Sequence, residues 1–264
     1  MLTPKQTAEK FITIGQNKTQ TGALKTLLLG ILAGMFIALA GVGSTMASAG
    51  FVSYSIKKLA SACVFPAGLI MVVLAGSELF TGNNLIIISV LDKKVKVSSM
   101  LKNWGIVYLG NLIGSLLVAF LAVYPIVKSD ETFSAALIAS ASAKTKLSIL
   151  SMLFKGILCN FLVCIAVWMS NACDNAGGKA VACYFPIMLF VLCGFEHSVA
   201  NMFYLPAGMI ASHMTGVEGI TLLSALKNLL FVTVGNIIGG AGFVGCAYYG
   251  AYLAKKKEED VIKF

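Results

Sequence analysis

Six long apolar runs separated by short polar stretches dominate the chain, at about residues 23–48, 59–90, 104–126, 147–170, 181–212 and 222–253. A helix needs about 20 apolar residues to cross a bilayer core, so the pattern predicts an all-α chain with six spans. The second and fifth runs are too long for one crossing. At 1.5 Å per residue, roughly 32 helical residues reach about 48 Å against a core of roughly 30 Å. Each of the two also carries polar residues near its middle, in Gly76-Ser77-Glu78-Leu79-Phe80-Thr81-Gly82-Asn83 and in Gly194-Phe195-Glu196-His197-Ser198-Val199-Ala200-Asn201. Spans 2 and 5 are therefore expected to be broken helices. Ahead of the spans, Thr3-Pro4-Lys5-Gln6 offers an N-cap, a proline at the first helical position and a capping-box glutamine. A short interfacial helix with Ala8, Phe11 and Ile12 on one face should follow. The expected plan is an amphipathic segment at 1–20, one membrane domain at 21–254 and a tail at 255–264.

The second half of the chain echoes the first. Leu101-Lys102-Asn103 and Gly110-Asn111-Leu112-Ile113-Gly114 match Leu226-Lys227-Asn228 and Gly235-Asn236-Ile237-Ile238-Gly239, and eight of these fourteen-residue segments' positions are identical. Ala62-Cys63-Val64-Phe65-Pro66 recurs as Ala182-Cys183-Tyr184-Phe185-Pro186, Gly76-x-Glu78 with Asn83 as Gly194-x-Glu196 with Asn201, and Gly30-Ile31-Leu32 as Gly156-Ile157-Leu158. Repeat 1 covers about 23–126 and repeat 2 about 147–253. Each holds three spans, an odd number, so the second enters the membrane from the opposite side and the repeat is inverted. One broken helix per repeat places two half-helix N-termini near the midplane, where their dipoles favour an anion. That is the plan of a channel or carrier rather than an enzyme.

Composition agrees: 58% of residues are hydrophobic and 12% charged, against roughly 25% charged in soluble domains. The net charge of +9 is carried entirely by lysine. Thirteen lysines fall on the face of the termini, whereas Lys57, Lys58, Lys128, Lys144, Lys146 and Lys227 fall on the opposite face. The excess predicts that both termini are cytoplasmic. Without arginine or a basic run interleaved with aromatics, nucleic-acid binding is not expected. The seven cysteines form no C-x-x-C pair and lack histidine or carboxylate neighbours at ligand spacing, so neither metal nor other cofactor is expected. Trp104 and Trp168 are expected at the cytoplasmic interface.

Glu78 and Glu196 are the only acids within spans, and His197 is the only histidine in the interior of one. Ionisable groups at that depth are costly and mark function by default. The repeat-related glutamates, with Asn83 and Asn201, read better as partners of backbone freed at the breaks. His197 has no such counterpart, since Leu79 occupies the equivalent position. That asymmetry assigns it a functional role. Lys144 and Lys146 precede the fourth span, either drawing anions in or simply solvated. Lys155, deeper in that span, reads as a snorkelling side chain. Asn111 and Asn236, each preceded by glycine, read as interhelical hydrogen-bonding residues at close helix contacts.

Gly76-x-Glu78-Leu79-Phe80-Thr81-Gly82-Asn83, Lys102-Asn103-Trp104 with Tyr108-x-Gly110-Asn111, and Gly194-Phe195-Glu196-His197-Ser198-Val199-Ala200-Asn201-Met202-Phe203 resemble the formate/nitrite transporter family of bacterial anion channels. The likeness runs from about residue 5 to 254, and overall it is nearest the hydrosulfide branch of that family. It implies an aquaporin-like homopentamer in the bacterial inner membrane, with one anion path through each protomer. It also implies apolar constrictions at Phe65, Leu69, Leu79, Val163 and Phe190, with Phe80 beside them. Between them it implies a polar site of Thr81, Asn160 and His197, with Glu196 supporting the histidine. Lys144 matches a vestibule lysine, and the N-terminal segment one thought to influence gating.

The residues suggest how such a path would work. Lysines concentrate anions at each mouth, and apolar rings bar hydrated ions because desolvating a charge is expensive. A small conjugate base such as formate, nitrite or hydrosulfide would hydrogen-bond Thr81 and Asn160 and meet His197. A proton lent there would let the neutral acid cross. The main alternative, an aquaporin-like channel for neutral solutes, shares the six spans and the repeat. It would carry two Asn-Pro-Ala motifs, which neither break contains.

Overall fold

The computed structural model describes residues 1–217 and 219–254, and the expected tail at 255–264 lies outside them. The described residues form helices and contain no strand. Six stretches are long and apolar enough to cross a membrane: Ala23–Ala49, Tyr54–Ala75, Val97–Ser129, Ile149–Ala172, Ala176–Cys193 and Leu222–Tyr252. The chain is a multi-pass membrane protein.

Helix α1 (Pro4–Gln20) opens with the expected capping box: Thr3 N donates to Gln6 Oε1 at 2.9 Å and Gln6 N to Thr3 Oγ1 at 3.3 Å. Its apolar face docks on the bundle, with Phe11 stacked on Trp168 at 5.1 Å. Ser89 Oγ lies 3.0 and 2.9 Å from the carbonyls of Phe11 and Ile12. The two tryptophans are buried in this region instead of lying in a lipid-facing belt. Trp168 is sandwiched between Phe11 and Tyr248, and Trp104 Nε1 donates to the Asn83 carbonyl at 2.9 Å.

The first span is α2 (Ala23–Ala49). The second bends at Phe65-Pro66 between α3 (Tyr54–Val64) and α4 (Ala67–Ala75) and then stops. After the break the chain resumes as α5 (Phe80–Asn83), a 3-10 turn at Asn84–Ile86 and α6 (Ile87–Leu91). The third span, α7 (Val97–Ser129), continues three residues beyond the apolar run and is followed at once by α8 (Glu131–Thr145). The second half runs through α9 (Ile149–Ala172), α10 (Ala176–Cys193), α11 (Ser198–Thr215) and α12 (Leu222–Ile237). A π-helical stretch at Ile238–Cys246 then leads into α13 (Ala247–Tyr252).

Corresponding helices pair in both halves, α2 against α7 and α9 against α12. Apolar side chains gain nothing by leaving lipid for one another, so small residues and hydrogen bonds hold these pairs. A Cβ on Gly30 would stand 3.3 Å from Gly110 Cα, and one on Gly156 3.2 Å from Gly235 Cα. Asn111 and Asn236 complete the seams, each donating to the carbonyl of the facing glycine, Gly30 or Gly156, at 2.8 Å.

Helix α8 is not predicted by the hydropathy pattern. Asp130 caps it by accepting from Phe133 N at 2.8 Å, and it buries Phe133 and Leu137 while packing on α11. It plays the part in the second half that α1, packed on α6, plays in the first.

Candidate functional site

Both long runs break where the sequence predicts, and by the same means. Gly76 (φ 77°) and Gly194 (φ 69°) end α4 and α10 in the left-handed conformation that glycine adopts without steric cost. Leu79 and His197 are then extended, at φ −107° and −110°, before α5 and α11 begin.

One asparagine holds each break. Asn111 Nδ2 donates to the carbonyls of Gly30 (2.8 Å) and Glu78 (2.9 Å), and its Oδ1 accepts from Phe80 N at 2.9 Å. Asn236 Nδ2 donates to Gly156 (2.8 Å) and Glu196 (2.9 Å), and its Oδ1 accepts from Ser198 N at 2.8 Å. Both side chains are fully buried. Each thereby pairs two backbone groups at its break, the Glu78 or Glu196 carbonyl and the Phe80 or Ser198 N–H, groups costing about 1–3 kcal/mol apiece if abandoned in the interior.

The glutamates are repeat-related in the same way. Glu78 accepts from Lys18 Nζ and from Asn83 Nδ2, both at 2.6 Å, and Asn83 Nδ2 also reaches Asn103 Oδ1 at 2.9 Å. Glu196 accepts from Lys144 Nζ at 3.1 and 3.2 Å and from Asn201 Nδ2 at 2.7 Å, and Asn201 Nδ2 reaches Asn228 Oδ1 at 2.7 Å. Asn103 and Asn228 close the two networks on the carbonyls of Lys18 and Lys144, at 3.2 and 2.9 Å. Lys144 is thus a partly buried ion-pair partner on α8, not a solvated loop residue. The Glu196 carboxylate turns to Lys144 and Asn201 and not to the His197 ring.

Where the repeat departs from itself, two polar side chains meet. Thr81 Oγ1 and His197 Nε2 are 2.8 Å apart, and both residues are buried. Their counterparts, Val199 and Leu79, are apolar. His197 also caps α11, its Nδ1 accepting from Ala200 N at 3.1 Å. That bond commits the Nδ1 lone pair, so the neutral ring carries its hydrogen on Nε2, directed at Thr81 Oγ1. The threonine hydroxyl keeps its own hydrogen for another acceptor.

Two cavities of about 290 Å³ approach this pair from opposite sides. One is lined by Phe11, Lys18, Glu78, Leu69, Leu79 and Lys179, the other by Lys58, Lys144, Lys155, Glu196, Phe65 and Phe190, with His197 at its end. Between them lies an apolar chamber of about 10 Å³ walled by Phe65, Leu69, Leu79, Val163 and Phe190 together with Ile37, Ile187 and His197. That volume is at the threshold for one water molecule. Phe65 and Phe190 meet edge to face at 5.8 Å.

Five of the residues expected at constrictions thus line one chamber with His197. Phe80 does not join them; it packs edge to face on Tyr108 and Trp104 at 4.9 and 6.0 Å. Thr81 adjoins the chamber through His197 without lining it, and Asn160 does not line it either. Its Nδ2 is directed to the Asn236 carbonyl (2.7 Å), Asn84 Oδ1 (2.8 Å) and the Thr81 carbonyl (3.3 Å), tying the two breaks together. Room for it comes from the π-helical stretch, where a Cβ on Gly240 would collide with the Asn160 amide. Ile37 and Ile187 were not singled out in the sequence, although Ile37 stands 126 positions before Val163, the spacing that relates Gly30 to Gly156.

A model of the formate/nitrite transporter family matches residues 5–250, nearly the whole membrane domain. The chain belongs to the formate/nitrite transporter family. Similar members include the formate channel FocA of Haemophilus influenzae, 36% identical over 96% of this chain and 95% of the relative. The uncharacterized transporter YrhG of Bacillus subtilis is 39% identical over 98% and 97%. Among solved structures, a pentameric formate channel with formate bound superposes with a TM-score of 0.77 at 34% identity, covering 88% of this chain and 98% of that one. A second, described as an FNT family ion channel, gives 0.85 at 28% identity, covering 93% and 98%. The formate/nitrite transporter fold therefore extends over both breaks and the chamber between them.

Proposed function

We propose that this chain is a channel for small monovalent anions of weak acids. It works as a homopentamer in the bacterial inner membrane, with both termini cytoplasmic and one path through each protomer. Formate is the first substrate to consider, because similar relatives are named formate channels. Nitrite and hydrosulfide share its charge and small size. The observation that carries the reading is the 2.8 Å contact between Thr81 and His197 beside an apolar chamber, with a lysine-lined cavity on either side.

The cavities gather anions, and the apolar walls refuse ions that keep their water. An anion entering the chamber loses hydration and must find donors in the protein. His197 Nε2–H polarises the Thr81 hydroxyl, and that hydroxyl donates to the anion. A proton lent outright requires Nδ1 to take up a proton and release the Ala200 cap. Full proton transfer therefore predicts flux that depends on pH, whereas hydrogen bonding by the neutral pair predicts flux that follows anion concentration.

Flux of formate, nitrite, hydrosulfide and chloride into proteoliposomes across pH tests this reading, with His197→Phe in parallel. Weak-acid anions are expected to pass in preference to chloride, and His197→Phe to change both rate and pH dependence. Unchanged rate and pH dependence in His197→Phe would remove the pair from the mechanism. Water or glycerol permeation without anion flux would replace the anion reading altogether.

A further inference from the structure

The two cavities flank repeat-related breaks but differ in charge. In each, the lysine from the flanking helix, α1 or α8, is already paired: Lys18 Nζ lies 2.6 Å from Glu78, and Lys144 Nζ 3.1 Å from Glu196. A cation in contact with a carboxylate presents little net field to an arriving anion. The lysines beyond these pairs differ in number. The cavity beside α8 is lined by Lys58 and Lys155 as well, and the cavity beside α1 by Lys179 alone. Among the described residues, none of these three ammonium groups is within ion-pair distance of a carboxylate.

Lys58 and Lys155 also flank the approach to the chamber. The Lys58 ammonium lies over the second break, where a Cβ on Gly194 would stand 3.1 Å from its Nζ. Lys155 is tied to the same turn through its carbonyl, which accepts from Glu196 N at 3.3 Å. Both side chains are partly buried within span segments. An unpaired ammonium at such a position is costly unless a water-filled cavity hydrates it or a counter-ion joins it.

We propose that Lys58 and Lys155 form an anion-capture site for small monovalent anions, immediately ahead of the Phe65/Phe190 wall, and that the channel therefore loads anion more tightly from the α8 side than from the α1 side. The inference rests on the channel reading above. Lys144, paired to Glu196, has a positioning role in the break and is not the capturing cation.

Single channels in planar bilayers, with formate added to either side at about 10 mM ionic strength, give the test, since the Debye length there is about 30 Å. The half-saturating concentration is expected to be lower from the α8 side, by about threefold for one additional lysine some 6 Å from the anion in a water-like medium. Lys58→Gln with Lys155→Gln should reverse the difference. Lys58→Arg with Lys155→Arg should keep it, and Lys179→Gln should widen it. Salt at about 1 M, where the Debye length is about 3 Å, should erase it. Equal half-saturation from both sides of the unsubstituted channel, or a difference that survives the double glutamine substitution or 1 M salt, overturns the inference. Absence of anion current from either side overturns the channel reading instead.

Discussion

The two helix breaks share a scaffold and differ in chemistry. At each, a left-handed glycine ends a helix, a buried asparagine takes three backbone groups, and a glutamate joins a lysine from a flanking helix, α1 or α8, to two further asparagines. The halves part company at Leu79 against His197 and at Thr81 against Val199. Each break thus supplies one polar and one apolar side chain, and the polar pair meets at 2.8 Å across the repeat boundary. A symmetric arrangement would set two like residues against each other. The asymmetric one joins a hydroxyl to an imidazole and leaves Leu79 to wall the chamber.

The largest effect is expected where the halves are equivalent. Asn111→Ala and Asn236→Ala each strand two buried backbone groups at a break, so each should cost roughly 3 kcal/mol or more and abolish accumulation of folded protein in membranes. Thermal unfolding in detergent checks both. A tolerated Asn236→Ala beside a lethal Asn111→Ala would show that the breaks are not held alike. Removing the ion pairs should distinguish them. Glu196 and Lys144 side chains are 6% and 15% exposed, against 14% and 26% for Glu78 and Lys18. Glu196→Gln is therefore expected to destabilise by about 2–3 kcal/mol and Glu78→Gln by about 1 kcal/mol, because an uncompensated charge costs more where water is scarcer. The reverse order would break the comparison. A smaller effect is expected from Val199→Thr, which adds a hydroxyl to a fully buried position. It should cost about 1 kcal/mol for an unsatisfied group and leave formate flux unimproved, since no imidazole faces it. Increased flux would mean that any hydroxyl at the breaks suffices.

The spans and breaks were legible because lipid imposes length and hydropathy on them. Gly76 and Gly194 with their polar neighbours could hardly lie in unbroken apolar helices. Helix α8 was not legible. Its sequence, Glu-Thr-Phe-Ser-Ala-Ala-Leu-Ile-Ala-Ser-Ala-Ser-Ala-Lys-Thr, is rich in small residues with little amphipathic contrast, and its burial depends on α11 packing against it. One signal was present: Lys144 follows Lys18 by 126 positions, as Gly156 follows Gly30. Side-chain direction at the breaks was hidden for a different reason. Helical periodicity lapses where the backbone is extended, so nothing in the spacing says that Phe80 turns to Trp104 and Tyr108; Asn160 lies within α9, but its partners come from elements brought to it only by the fold. The Lys144–Glu196 pair was hidden along with α8, the helix that carries the lysine.

The central claim is that a hydroxyl from one half, polarised by an imidazole from the other, receives the anion. Formate flux into proteoliposomes carrying Thr81→Val tests it most directly, because valine keeps the buried shape and removes only the hydroxyl. Loss of one hydrogen bond to a charged group is worth about 1.5–3 kcal/mol, so flux is expected to fall at least about tenfold while thermal stability changes by about 1 kcal/mol. Flux within twofold of the unsubstituted channel, measured on protein that unfolds at the same temperature, would contradict the account.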